Sequence, residues 1–134
     1  MTGKLKVLCA AAIGLVLMAD TVLAHHAFSA EFDMNNPLKV TGQIKKVEWQ
    51  NPHVWFYVEA KNEKGQSVVW GFSGGPPGVL MRRGVTKERL KIGETVVVEG
   101  FRAKDGSYNG TGSKVTFADG RQVFAGANAE EGQR

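Results

Sequence analysis

The chain has 134 residues, with 17 Lys and Arg against 13 Asp and Glu, a formal net charge of +4, and a single cysteine, Cys9. The charge is mild and its signs are interspersed, so no basic block argues for nucleic acid or an anionic membrane surface as the partner. The length suits one ordinary domain with a modest core and no staples.

Residues 1–24 have the layout of a secretory signal peptide: Lys4 and Lys6 form a basic start, Val7 to Met18 an apolar run, and Val22-Leu23-Ala24 a small-residue cleavage site. The run is shorter than the roughly 20 helical residues that span a bilayer core, so it reads as a processing segment that leaves no membrane anchor. Lys6-Val7-Leu8 before Cys9 does not place a small residue beside the thiol, as a lipid-attachment signal does. Cleavage after Ala24 gives a mature chain from His25 to Arg134 and removes Cys9. Disulfides, Cys-based zinc sites and cysteine nucleophiles go with it.

The mature chain divides into an N-terminal arm over 25–37, a barrel domain over 38–126 and a small polar tail over 127–134. From Leu38 onward the dominant pattern is period two, broken by Gly, Asn and Asp clusters. The first predicted strand, Leu38 to Trp49, carries Leu38, Val40 and Ile44 on one face. Val47 and Trp49 fall on the opposite parity, which predicts a bulge near Lys45-Lys46 and a curved strand. Asn51-Pro52 turns the chain into His53 to Ala60, rich in aromatic and β-branched residues. Val54, Phe56 and Val58 read as its core face, and His53, Trp55, Tyr57 and Glu59 as its outer face.

A hairpin at Asn62-Glu63-Lys64-Gly65 leads into a third strand, Ser67 to Ser73. Gly74-Gly75-Pro76-Pro77 ends it, because proline lacks the ladder donor and glycine resists ordering. Gly78 to Arg83 reads as a short helix with Pro77 near its first turn and Gly84 at its end, and Thr86 to Leu90 as a further helical turn, with Val85 and Leu90 docking on the barrel. A fourth strand follows from Glu94 to Lys104, a turn at Asp105-Gly106-Ser107, a fifth strand from Gly112 to Phe117, and a last one from Gln122 to Phe124. Three strands, a short helix and two or three more strands give a mainly β fold, an OB-like Greek-key β-barrel with its helix between the third and fourth strands. A flat α+β meander is the competing arrangement.

The segments "HHAFSAEFD", "VEWQNPHVWFYVE", "SGGPPGVLMRRG" and "RAKDGS…VTFADGRQVFAG" resemble an uncharacterised family of small exported proteins of Gram-negative bacteria, over His25 to Gly126. The resemblance implies a signal peptide, a periplasmic location and a β-rich OB-like domain. It implies no activity.

All three histidines lie in "HH" at the expected mature terminus and in "NPHVW". An N-terminal histidine can chelate one metal ion with its α-amine and its own Nδ1, and a second imidazole completes a three-nitrogen site. Such a set suits Cu(II) or Ni(II), copper being highest in affinity order, and the α-amine deprotonates readily because its pKa is near 8. His25, His26 and His53 are therefore the candidate copper ligands, with Glu31 or Asp33 as axial donors and Trp49, Trp55 and Tyr57 as walls. The plainer account has solvated arm histidines and a His53 that caps the turn after Asn51-Pro52 or hydrogen-bonds a backbone carbonyl.

The alternative function is a binding module without metal, using the outer face of Trp55 and Tyr57 beside Lys45 and Lys46. Aromatic platforms with basic neighbours bind single strands of nucleic acid. Export makes nucleic acid unexpected, and leaves an oligosaccharide, a small aromatic compound or a periplasmic protein as the partner. Arg82, Arg83, Lys87 and Arg89 read as a solvated face, and Phe28 and Phe32 as pins for the arm. Glu99 and Arg102 have no triad partner at recognisable spacing, and neither Ser29 nor Ser73 sits in a Gly-x-Ser-x-Gly elbow. No catalytic residues are assigned.

Overall fold

The structure, a computed structural model, describes residues 30–123. The expected signal segment, His25, His26, Phe28, Phe124 and the polar tail lie outside the described residues. Chain contacts set off a unit that begins at Phe32 and holds every described strand.

The strands are β1 (Phe32–Glu48), β2 (Trp55–Lys61), β3 (Ser67–Ser73), β4 (Thr95–Ala103), β5 (Asn109–Thr111), β6 (Lys114–Phe117) and β7 (Gln122–Val123), with one helix, α1 (Pro77–Arg82), between β3 and β4. Their spatial order is β1-β2-β3-β5-β4-β6-β7, and an additional β1–β4 pairing closes the first five into a barrel. The β3–β5 pair is parallel and every other pair is antiparallel. The OB-like order expected from the sequence is the one found, and the flat meander is not.

The long β1 makes closure possible by serving two neighbours. Pro37 to Gln43 pair with β4, from Phe101 back to Thr95, while Gln43 to Glu48 pair with β2. The register slips between Ile44 and Lys46, where the sequence predicts a bulge. Closure also needs backbone contact without side chains: a Cβ on Gly42 would strike the carbonyl oxygen of Glu59, and one on Gly100 the carbonyl oxygen of Thr111. Only glycine admits so close an approach.

Several boundaries differ from expectation. β1 starts at Phe32 rather than Leu38, because Phe32 pairs with Ala103 and is itself only 3% exposed. Pro37 sits beside the irregularity in that pairing, where a missing donor costs least. β2 starts after Val54, whose backbone is instead tied to the loop before α1, donating to Gly75 O at 3.1 Å and accepting from Gly74 N at 2.7 Å. The expected fifth strand, Gly112 to Phe117, is β6, and the short β5 before it has no counterpart among the predicted strands; between the two, Gly112 N reaches Ser73 O and Ser113 N reaches Glu99 O. There the chain leaves β3 and continues along β4, with β7 on its other side. Thr86–Leu90, expected as a further helical turn, makes a single turn closed by Arg89 N to Thr86 O at 3.0 Å.

The core lies inside the barrel and under α1. Phe56, Phe72, Ile44, Val54, Val58, Val98 and Leu80 are each fully buried, and Val85 and Leu90 dock as expected. At about 1.5–3 kcal/mol for each such side chain, these form the main favourable contribution to folding.

Candidate ligand pocket at the barrel mouth

Where β1 leaves β2 for β4, the barrel wall opens. The last β1–β2 pair on that side is Gln43↔Glu59, so the ends of β2 and β3 and their hairpin run on without β1 beside them. A cavity of about 500 Å3 fills the gap, within the usual size range of small-molecule sites. Val40 and Ala60 line it from the core, and Trp70, Tyr108 and Arg102 wall it.

Trp70 follows the inward parity of β3, opposite Val58. It continues a series of rings out of the core: Phe56 and Phe72 stack at 5.4 Å, Phe72 and Trp70 at 6.1 Å, and Trp70 meets Tyr108 edge-on at 5.1 Å. Trp70 is half-buried against the core and Tyr108 is exposed, so the series ends at the cavity. Above it lies the Arg102 guanidinium, 5.4 Å from the Trp70 ring centre and 6.0 Å from that of Tyr108. Such cation–π geometry is attractive and also keeps a charge at the mouth.

The rim loops are held by their own hydrogen bonds. Arg102 Nη2 donates to Gly106 O at 2.8 Å and its Nε to Ser107 O at 3.4 Å. Asp105 accepts from Ser107 N at 2.9 Å, and that serine, with the charge of Arg102, holds the carboxyl below its ordinary range. Gly71 N donates to Tyr108 O at 2.9 Å, fixing the ring's backbone beside β3. On the opposite rim, Asn62 Oδ1 accepts from Lys64 N at 3.0 Å and Gln66 N at 2.9 Å, closing the β2–β3 hairpin on itself.

Residues 12–114 match the model of a family described as a family of unknown function, DUF6152. The chain belongs to DUF6152. No curated protein and no solved structure matches it. For this DUF6152 member the chemistry therefore has to be read from its own side chains.

The outer face expected from the alternation of β2 exists, but much of it is engaged. Tyr57 Oη donates to Glu48 Oε2 at 2.9 Å, Lys46 pairs with Glu48 Oε1, and Lys46 Nζ lies 5.3 Å from the Tyr57 ring centre. Hydrogen bonds from Lys46 and Tyr57 hold the Glu48 carboxyl below its ordinary range, while burial and then Glu48 push the Tyr57 phenol up. Trp55 is half-buried between Glu48 and Ser73 on the neighbouring strands. Trp49 is partly buried and packs against the core.

Of the three candidate copper ligands, only His53 lies among the described residues, half-buried just before β2. Among the described residues no group of three His, Cys, Asp or Glu side chains converges as a metal site. The mouth residues Trp70, Tyr108 and Arg102 are absent from the sequence-based candidates. Their one visible signal is an aromatic placed directly after the Asp105-Gly106-Ser107 turn, where a solvated loop calls for none.

Proposed function

We propose that this DUF6152 domain is a binding module whose small ligand sits at the barrel mouth against Trp70 and Tyr108. The observation that carries this reading is the ring series that climbs from the core and ends, partly exposed, at a cavity beneath a guanidinium. A half-exposed tryptophan serves packing less well than a buried one and offers a ligand a flat, rigid wall. The outer face of Trp55 and Tyr57 is the weaker platform, because the Tyr57 hydroxyl is engaged by Glu48 and neither ring lines the cavity. The signal-like segment 1–24 supports a periplasmic setting, in which the ligand is a small periplasmic compound.

The test is a fragment screen by 1H–15N NMR on the chain from His25 on, with the indole N–H of each tryptophan assigned. The expected result is fragments that shift the Trp70 indole and the Tyr108 amide together, with binding lost in Trp70→Ala and kept in Trp55→Ala. Shifts confined to Trp55 and Tyr57 would move the site to the outer face.

A second reading has one specific support. Among the described residues no side-chain hydrogen bond or ion pair engages the His53 imidazole, so the plainer account of it as a turn cap has no bond behind it. That leaves it available to a copper ion held by His25, with His26 as a substitute ligand. Intact mass and Cu(II) titration with electron paramagnetic resonance test this directly. A mass starting at His25 and a nitrogen-rich Cu(II) spectrum lost in His53→Ala are expected; weak Cu(II) uptake unchanged in that variant overturns it.

A further inference from the structure

Resting on the pocket reading above, we infer that the ligand of the barrel mouth is a planar aromatic carboxylate. The flat part follows from the walls. Trp70 and Tyr108 meet at an interplanar angle of 80°, forming a corner in which a ring can stack on one and meet the edge of the other.

The carboxylate follows from the charge around that corner. Lys39, Lys61, Lys64 and Arg102 line the cavity, against Glu63 as the one acidic lining residue among those described. Some of this charge is offset nearby: Lys39 acts on Glu99, which is itself bonded to Lys114, and Arg102 acts on Asp105. Lys61 and Lys64 stand on the opposite rim, at the end of β2 and in the hairpin. A guanidinium carries five donors, and the carbonyls of Gly106 and Ser107 engage two of them. A carboxylate beside the Trp70 ring meets a planar guanidinium suited to bidentate recognition on one side and ammonium groups on the other. A neutral sugar leaves those cations without an anion, and an organic cation meets them as like charges.

A matched set of probes separates the shape of the ligand from its charge: 2-naphthoate, 2-naphthamide and 2-naphthylmethylammonium. Affinities are read by NMR titration on the Trp70 indole at low salt, with the protein from His25 on. The naphthoate is expected to bind at least about tenfold more tightly than the amide, the ammonium most weakly, and the gap to shrink as salt rises because exposed charges are screened. Arg102→Gln is expected to remove most of the gap. That variant also loosens the loop at Gly106 and Ser107, so Lys61→Gln with Lys64→Gln is the second variant and Lys87→Gln with Lys91→Gln its charge-matched control. A reduced naphthoate advantage in the former and an unchanged one in the latter support the inference. Equal binding of all three probes at Trp70 overturns the carboxylate and leaves the pocket standing. Binding by none of the three overturns both. A naphthoate preference that survives the rim substitutions overturns the role given to these cations.

Discussion

Phe72→Ala tests whether the ring series is the structural floor of the mouth. Phe72 is fully buried, pairs across β3–β2 with Phe56 and across β3–β5 with Gly110, and stacks on both Phe56 and Trp70. Truncating a phenylalanine in such a site costs about 3–5 kcal/mol, the sum of lost transfer energy and the cavity left behind. Against a total of about 5–15 kcal/mol for a domain this leaves a marginal fold. Urea denaturation followed by tryptophan fluorescence and far-ultraviolet circular dichroism measures it. With a slope of about 2 kcal/mol/M, a 4 kcal/mol loss lowers the midpoint by about 2 M. Val69, on the same strand but on the outer face and 50% exposed, supplies the control: Val69→Ala is expected to stay within about 0.5 kcal/mol. Phe72→Leu keeps an apolar side chain but no ring, so it should cost less while still shifting the Trp70 indole resonance. A Phe72→Ala loss below about 1 kcal/mol, or one equal to that of Val69→Ala, would refute the assignment of Phe72 to the core.

Gly100→Ala should destabilise by about 1–3 kcal/mol or more in thermal unfolding, since the added methyl meets the backbone of Thr111. Gly106→Ala, with φ +77° but open space around it, should cost only the left-handed backbone term of about 1–2 kcal/mol. In a Tyr108→Phe variant Tyr57 is the one remaining tyrosine, and its absorbance titration should have a midpoint above the ordinary value of about 10. Because its folded pKa is raised, the stability tied to Tyr57 is fully present below that ordinary value and is lost as pH rises through the folded one. A midpoint at or below 10 counts against the partly buried hydrogen bond to Glu48. Glu99 is the opposite case: its bond to Lys114 lowers the carboxyl pKa, so its contribution is present above the ordinary glutamate range and lost as pH falls through the lower folded value. Glu99→Gln should therefore lower the neutral plateau of a stability–pH curve slightly and flatten its acid limb, the two proteins converging at low pH.

Much of the barrel is legible in local pattern. The alternation of Val54, Phe56 and Val58 gives the buried face of β2, and the change of parity at Lys45-Lys46 gives the bulge. Pro77 and Gly84 bracket the helix. What escapes the sequence is set by partners distant along the chain. Phe32 to Pro37 show no alternation, and they become strand because β4 stands beside them. Tyr57 alternates like a free surface residue, and only the shifted register across the bulge brings Glu48 to its hydroxyl. Trp70 lies within the expected third strand, and nothing near it in sequence shows that the neighbouring wall is open. That opening depends on β1 changing partners at Gln43, and the approach of Tyr108 depends on the parallel β3–β5 pair.

The same change of partners explains why a small barrel can carry a site at little cost to its core. Gln43 is paired on both sides, with Glu59 of β2 and Thr95 of β4, so β1 is held firmly where the wall begins to part. Beyond that point β1 follows β4, and β2 and β3 continue as a hairpin closed by Asn62. The floor of the gap, Phe72 and Trp70, belongs to the packed interior, whereas the rim belongs to two loops that satisfy their own backbone groups through Asn62, Asp105 and Arg102. Substitutions in the rim can therefore change what the mouth binds while leaving the interior packed, and substitutions in the floor change both. For that reason the two kinds of variant have to be read together. A rim change that unfolds the domain, or a floor change that leaves Trp70 undisturbed, contradicts this division of labour whatever the ligand proves to be.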